Sequence, residues 1–326
     1  MIRLALVTGA TGGLGRELVD QLLARGYRVR ATGRDAAIGA RLKTEFVPAD
    51  LTTDPLAPLV AGVDMVFHLA ALSSPWGSRA AFKAINVTAT ERLLASARAA
   101  GCCGMVYAST PSIYAAPRAR IGLTEDSPVG SRFANAYAAT KYAAERLTLE
   151  ADTPGFRTVA IRPRAIVGPN DTVLLPRILR AAGRGRFPLP GGGEALIEPT
   201  DVRDAAAAFV AADRHLAVAG GQAINISGGD PRPVRELLGK LFGRIGETPR
   251  FVAVPTGLAM TLAGAMEQVA ALLPGRPEPP VTRYGVMTFA FSQTMRLDRA
   301  RDLLDWVPRH RVEAMIAHAL PERIDA

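Results

Sequence analysis

Short apolar runs rich in β-branched and aromatic residues return through the first two thirds of the chain: LALV (4–7), RVRAT (28–32), FVPA (46–49), MVFHL (65–69), MVYAS (105–109) and TVAIR (158–162). Between them lie Ala-, Leu- and Arg-rich stretches in which apolar residues recur at helical spacing, as at Leu14, Leu18 and Leu22. Strand and helix signals alternating in this way predict βαβ units, hence a doubly wound α/β fold with a parallel sheet covered by helices on both faces. After residue 168 the rhythm breaks into the Pro/Gly-rich 187-FPLPGGG-193. A helical stretch then follows Asp204, AINIS (223–227) reads as one more strand, and several prolines interrupt the C-terminal third. The expected division is a larger domain of residues 1–168 with about 201–227, and a smaller C-terminal lobe of 169–200 and 228–326. A ligand site is expected in the cleft between them.

The first strand runs into 8-TGATGGLGRE-17, which sets Gly9, Gly12 and Gly15 at a strand-to-helix junction, with Thr11, Gly13 and Leu14 in the same turn. Glycines there let the backbone turn tightly and approach a pyrophosphate, while the helix N-terminus offers unpaired N–H groups to its charge. The larger domain is therefore expected to bind a dinucleotide and the smaller lobe the substrate. An NAD site usually carries Asp or Glu at the end of the second strand to accept from the ribose 2′-hydroxyl, whereas this strand ends 31-ATGRD-35. Arg34, with Arg16 behind the last glycine, suits the 2′-phosphate of NADP, because a guanidinium pairs bidentately with phosphate; Asp35 keeps NAD open. Asp50 and Leu51, just past the third strand, are expected beside the adenine.

Arginine serves almost everywhere as the cation, and Lys43, Lys83, Lys141 and Lys240 are the four lysines of the chain. Lys141 stands four residues after Tyr137 in 135-NAYAATKYAAE-145, one helical turn away on the same face. An ammonium near a phenol favours the phenolate, lowering the tyrosine pKa toward a value useful for proton transfer, and its compact head can also donate to ribose hydroxyls. Ser109 and Thr110, at the end of the MVYAS strand, place two hydroxyls where a bound ligand is expected.

In this order TGATGGLG, HLAA (68–71), Asn86 in AINVTAT, STPSIY, YAATK, IRPRAIVGP (161–169) and the closing DWVPRH (305–310) resemble an extended short-chain dehydrogenase/reductase, over essentially the whole chain. The resemblance implies a Rossmann sheet and a catalytic Thr110, Tyr137 and Lys141, with Asn86 supporting the proton network. It also implies that Ala70, Ala71 and Pro163 line the nicotinamide pocket. Within that family 68-HLAALSSPWG-77, 106-VYASTPSIY-114 and 280-PVTRYGV-286 are most like the branch of 3β-hydroxysteroid dehydrogenase-like enzymes and 2-alkyl-3-oxoalkanoate reductases. Members that act on nucleotide sugars typically hold an arginine on the diphosphate, and Ile197 occupies that place here.

The expected function is NADP-dependent hydride transfer to or from a small hydrophobic β-hydroxy or β-keto substrate, long-chain acyl or sterol-like. Trp76, Ser109 and Ile197 are the candidate substrate contacts. Two alternatives stand beside it: a nucleotide-sugar epimerase or dehydratase with retained NAD, and a non-catalytic NADP sensor.

Composition trims the remaining classes. The formal charge of +9 comes from arginines scattered through helical segments, without a basic run or interleaved aromatics, so no nucleic acid partner is expected. Cys102 and Cys103 are adjacent and the four histidines lie far apart, which gives neither a disulfide framework nor metal-ligand spacing. The start MIRLALVTGA lacks the layout of a signal peptide, and a cytoplasmic homodimer is expected. The stretch 254–275 is nearly all apolar, but Glu267 lies inside it. It reads as a cap helix or a dimer face ahead of a membrane contact.

Overall fold

The computed structural model describes residues 2–130, 132–182 and 185–320. The outer limits of the two expected domains, at residue 1 and at 321–326, lie outside the described residues. Seven strands form one parallel sheet: β1 (Leu4–Thr8), β2 (Arg28–Gly33), β3 (Glu45–Pro48), β4 (Met65–His68), β5 (Gly104–Ala108), β6 (Arg157–Pro163) and β7 (Ala223–Ile226). Their order across the sheet is β7-β6-β5-β4-β1-β2-β3. The order reverses beside β1, and the C-terminal ends of β1 and β4 diverge there into the crevice where such sheets bind ligands.

Period-two alternation explains the layers. In β1, Ala5 and Val7 enter one core with Leu18, Val19 and Leu22 of α1 (Gly13–Ala24), while Leu4 and Leu6 enter another with Leu93 and Leu94 of α2 (Ala89–Ala99). Both faces are covered, so the strands read as continuous apolar runs. On the α1 side a later helix, α4 (Val202–Arg214), supplies Phe209 and Val210. On the other side α3 (Ala136–Glu150) is capped by Asn135, whose side chain accepts from the Ala138 amide at 2.9 Å.

Segments before and after β7 build a second core around Phe187, Phe242 and Phe251, whose rings lie 5.6–6.2 Å apart, with α5 (Val234–Arg244) and the last helix packed on it. Buried Asp204 at the start of α4 ties this part back to the sheet. It accepts from the amides of Arg309 and His310 and from the His310 ring, and its carbonyl accepts from Trp306 Nε1. The DWVPRH stretch is thus a clamp. Two further helices, α6 (Thr256–Leu272) and α7 (Arg283–Ala290), pack on each other, with Glu267 of α6 holding the Arg283 guanidinium at 2.7 Å. No helix among the described residues is long and apolar enough to cross a membrane.

Candidate active site

The glycine turn fits a dinucleotide on its own geometry. Helix α1 starts at Gly12 without a side-chain cap, so its first N–H groups stay free for an anion. Gly9 has φ +67°, and a Cβ on it would sit 2.8 Å from the Ala70 amide nitrogen; one on Gly15 would lie 2.2 Å from the Gly9 carbonyl. Only glycine lets the turn close this tightly against the end of β4. Ala70 is fixed there because its amide, like that of Leu69, donates to Thr8 Oγ1 at 3.1 Å. Ala71 follows directly, and Pro163 ends β6 opposite Ile226.

At the far edge of this crevice the acid and the base after β2 have different partners. Asp35 caps a short helical turn, accepting from the Ile38 amide at 2.9 Å, while Arg34 is exposed and makes no hydrogen bond or ion pair among the described residues. Arg16 donates to the Thr11 carbonyl and to Asn170, both at 3.1 Å. Asp50 accepts from the amide and hydroxyl of Thr52, and these bonds hold its carboxyl below the usual range. Arg92 reaches across to bond the Leu51 carbonyl.

The proton-handling residues gather at the C-terminal ends of β4 and β5. Asn86 is buried in a π-helical turn, a widening common at functional sites, and clamps both backbone groups of Leu72 while its Nδ2 donates to Thr140 Oγ1 at 3.1 Å. His68 is buried with both ring nitrogens engaged, by Thr8 at 2.7 Å and Thr90 at 2.9 Å. Burial pushes its pKa down to about 3, so the ring stays neutral and works as a brace. Thr110 donates to Ser112 Oγ at 3.0 Å, and Ser112 Oγ lies 2.6 Å from the Tyr284 hydroxyl, which α7 brings in from 172 residues away. Ser109 Oγ is buried and has no hydrogen-bond partner among the described residues.

Tyr137 and Lys141 share the face of α3 that turns to this cluster, but their electrostatics run opposite to the sequence expectation. Burial and nearby Tyr284 raise the Tyr137 phenol above its ordinary value, while the hydroxyls of Thr110 and Ser73 pull it part of the way back. Lys141 is buried with its ammonium 4.1 Å from the centre of the Tyr107 ring, and desolvation lowers it to about 7 against the opposing pull of Glu145. Desolvation is the leading cause of both shifts, and a group withdrawn from water favours its neutral form. Tyr137 is thus a proton donor throughout the neutral range.

Sequence reading missed the groups that hold this cluster in place. Glu145 takes both prongs of the buried Arg162 guanidinium at 2.6 and 2.8 Å, locking α3 onto β6. The 4-residue step from Lys141 to Glu145 was the available signal. Of the substrate candidates, Trp76 donates from Nε1 to the Arg276 carbonyl at 3.0 Å, tying the loop after β4 to the segment beyond α6. Ile197 pairs with Arg232 in a two-stranded ribbon and packs on the smaller core. Of the two paired helices, α7 brings a side chain to the Thr110 cluster; α6 buries Ala263 and Ala270 and leaves Leu258, Leu262, Met266, Val269 and Leu272 exposed.

The family model of the NAD dependent epimerase/dehydratase family matches residues 5–227. The 2-alkyl-3-oxoalkanoate reductase of Stenotrophomonas maltophilia is 36% identical over 94% of this chain and 96% of its own length. The mouse sterol-4-alpha-carboxylate 3-dehydrogenase, decarboxylating, is 31% identical over 79% of this chain and 73% of its own. Among solved structures, MoeE5 in complex with UDP-glucose and NAD superposes with a TM-score of 0.75 at 25% identity over 97% of both chains. The chain belongs to the NAD dependent epimerase/dehydratase family, as an extended short-chain dehydrogenase/reductase of the 3β-hydroxysteroid dehydrogenase-like and 2-alkyl-3-oxoalkanoate reductase branch, and it is an NAD(P)-dependent oxidoreductase.

Proposed function

We propose that the enzyme uses NADP to interconvert a hydrophobic β-hydroxy compound and its β-keto counterpart, with a long acyl chain or a sterol-like body. The observation that carries this reading is the line of hydroxyls from Tyr137 through Thr110 and Ser112 to Tyr284, laid beside an uncapped glycine turn. When bound at that turn, NADPH supplies the hydride. Tyr137, held protonated by its burial, gives the proton to the carbonyl oxygen, and Thr110 orients that oxygen. Asn86 fixes the Leu72 backbone and Thr140, which holds the wall between β4 and α3 in register. Lys141, poised near neutrality, donates to a ribose hydroxyl when charged. In this reading residues 1–168 with 201–227 hold the dinucleotide, and 169–200 with 228–326 close over the substrate.

The preference for NADP is supported by the unequal commitments of Arg34 and Asp35. Arg34 is free to meet a 2′-phosphate, whereas Asp35 spends an oxygen on its helix cap. Charge-assisted bonds of this kind contribute about 1.5–3 kcal/mol. Arg34→Ala should therefore weaken NADPH roughly ten- to hundredfold and leave NADH nearly unchanged, read by fluorescence titration. Equal affinities in the parent enzyme would refute the assignment. The names of the two curated relatives, an alkanoate reductase and a sterol dehydrogenase, support an apolar substrate. A panel of β-keto acyl compounds, 3-ketosteroids, simple aldehydes and UDP-sugars, followed by NADPH consumption, tests it. Turnover confined to the UDP-sugars would overturn the reading in favour of an epimerase-like activity.

A further inference from the structure

Arg164 is 7% exposed, and among the described residues no carboxylate forms an ion pair with it. Its guanidinium bonds Gln293, while Nε meets no acceptor there. Burying a charge without a counter-ion is costly, and in folded proteins such a charge is normally paired. Desolvation holds Arg164 below its ordinary pKa, and the group that pulls it back most is the phenol of Tyr284, ahead of Glu198. Glu198 is already occupied by the Ser227 hydroxyl at 2.9 Å and the Met295 amide at 3.1 Å. The buried cation therefore stands beside a group that becomes an anion only when it gives up its proton.

Tyr284 closes a line of hydroxyls. Thr110 donates to Ser112 Oγ at 3.0 Å, and Ser112 Oγ lies 2.6 Å from the Tyr284 hydroxyl. At the other end the Thr110 hydroxyl is near enough to Tyr137 to favour its phenolate. The line thus begins and ends in a phenol. Serine and threonine hydroxyls hold their protons far more tightly than a phenol does, so the two in the middle pass a proton on and do not supply it. Moving a proton from Tyr284 to Tyr137 exchanges one phenolate for another, and at Tyr284 the new charge meets Arg164. Beyond Tyr284 lies a cavity of about 20 Å³, lined also by Ser112, Arg118, Arg120, Arg164 and Gln293, with room for a water molecule and with exposed Arg118 at its rim.

We propose that this line is the route by which Tyr137 recovers its proton, with Tyr284 as the terminal donor and Arg164 as the standing counter-ion for the phenolate left there. It rests on the role of Tyr137 as proton donor in the function proposed above. In reduction, hydride reaches the carbonyl carbon, the Tyr137 O–H bond breaks and its proton completes the alcohol. The Tyr137 phenolate then takes the Thr110 proton as Thr110 takes that of Ser112 and Ser112 that of Tyr284. These shifts occur together, so no free alkoxide forms. Water entering from the cavity reprotonates Tyr284, and solvent acid neutralises the hydroxide this leaves. One carbonyl, one hydride and one solvent proton give one alcohol, and every hydroxyl ends as it began. Oxidation of the alcohol runs the same line outward. Ser112, Tyr284 and Arg164 act through Tyr137, as relay and positioning groups.

The test reads the first turnover apart from those that follow it. Ethyl 3-oxooctanoate, a substrate under the proposed function, and octanal, which asks only for a hydride and a proton, are each reduced with NADPH in a stopped-flow instrument. In Tyr284→Phe the first NADPH per site should be oxidised at the parent rate, because Tyr137 starts protonated. Later turnovers should be roughly tenfold slower and show a larger solvent deuterium isotope effect than the parent. Arg164→Met should give the same burst, and Tyr284→Phe should melt close to the parent. A first turnover slowed as much as the later ones would make Tyr284 a wall of the substrate site and overturn the relay. Later turnovers as fast as the parent's would bring the proton by another path, past exposed Ser73 or Lys141, and would also overturn it. Reduction of octanal without the keto ester would overturn the apolar β-keto reading, while the burst on octanal still decides the relay. Reduction of neither by the parent enzyme would refute the Tyr137 chemistry and the relay with it.

Discussion

Helices α3 and α6 have 15 and 17 residues, and they treat water in opposite ways. Helix α3 buries Lys141 and Glu145 with alanines between them, while α6 buries only Ala263 and Ala270 and leaves Leu258, Leu262, Met266, Val269 and Leu272 exposed. Hydrophobicity would assign the two faces the other way round. The difference lies in what each helix packs against. Helix α3 lies on β5 and β6, where Arg162 and the Tyr107 ring give its charges partners; α6 touches little but α7 and leans on it through small residues. Buried charge therefore marks chemistry here, and exposed apolar surface marks only a light contact.

The largest expected effect on this comparison is chemical. Tyr137→Phe removes the proton donor from the buried face of α3 and should lower kcat about 10²–10⁴-fold. Cofactor affinity and melting temperature should stay close to the parent values. Steady-state kinetics on the substrate found by the panel decides it, and a near-parental kcat would mean that the proton comes from elsewhere.

Glu145→Gln tests whether the charges of α3 are held by their partner. It leaves Arg162 buried with half of its bidentate acceptor gone, and breaking such a pair costs about 3–5 kcal/mol. Urea unfolding should show that loss, and replacing both partners together, Glu145→Leu with Arg162→Met, should recover much of it. A single variant as stable as the parent would mean that the pair does not fasten α3 to β6.

Much of this was legible in the sequence, and the boundary of legibility has a physical cause. All seven strands of the sheet sit within a residue or two of the runs read from the sequence; β1, β4, β5 and β7 are buried on both faces and have no polar alternation to blur them, while β2 and β3 end at a glycine and a proline. The glycine turn, Tyr137 and Lys141 were legible because they are local motifs at a fixed spacing. Arg164, Ser112 and Tyr284 were not. Arginine is this chain's common cation, so one more carried no signal, and Tyr284 meets Ser112 across 172 residues of chain. The direction of the Tyr137 pKa was misjudged for a related reason: spacing reveals that two groups are neighbours, but not how dry their surroundings are.

Lys141 makes that dryness measurable. Its folded pKa near 7 lies below the ordinary 10.5. Below about pH 7 both folded and unfolded chains hold the proton, and the folded state bears the whole cost of the buried ammonium. Between 7 and 10.5 only the unfolded chain binds it, so stability rises with pH by up to about 1.4 kcal/mol per unit from this group. Lys141→Met should therefore stabilise the cofactor-free protein most at pH 6, with the advantage shrinking toward pH 9, as read by parallel denaturant titrations. A gap independent of pH would place the lysine in water.

The smallest effect should come from α6. Leu262 and Val269 are 49% and 58% exposed, so folding removes only part of each side chain from water, and little of the usual gain for a buried apolar side chain is at stake. Glutamine at either position keeps the helical stem, and in place of Val269 it also relieves the χ1 restriction that a β-branched residue suffers in a helix. Each single substitution should change the unfolding free energy by no more than about 0.5 kcal/mol, the range of ordinary surface sites, against several for Glu145→Gln on the more polar helix. Denaturant titration at two protein concentrations tests this. A loss above about 2 kcal/mol that grows with dilution of the parent's assembly would show that a second copy of the chain covers this face. In that case the contrast between the two helices would belong to the isolated chain alone.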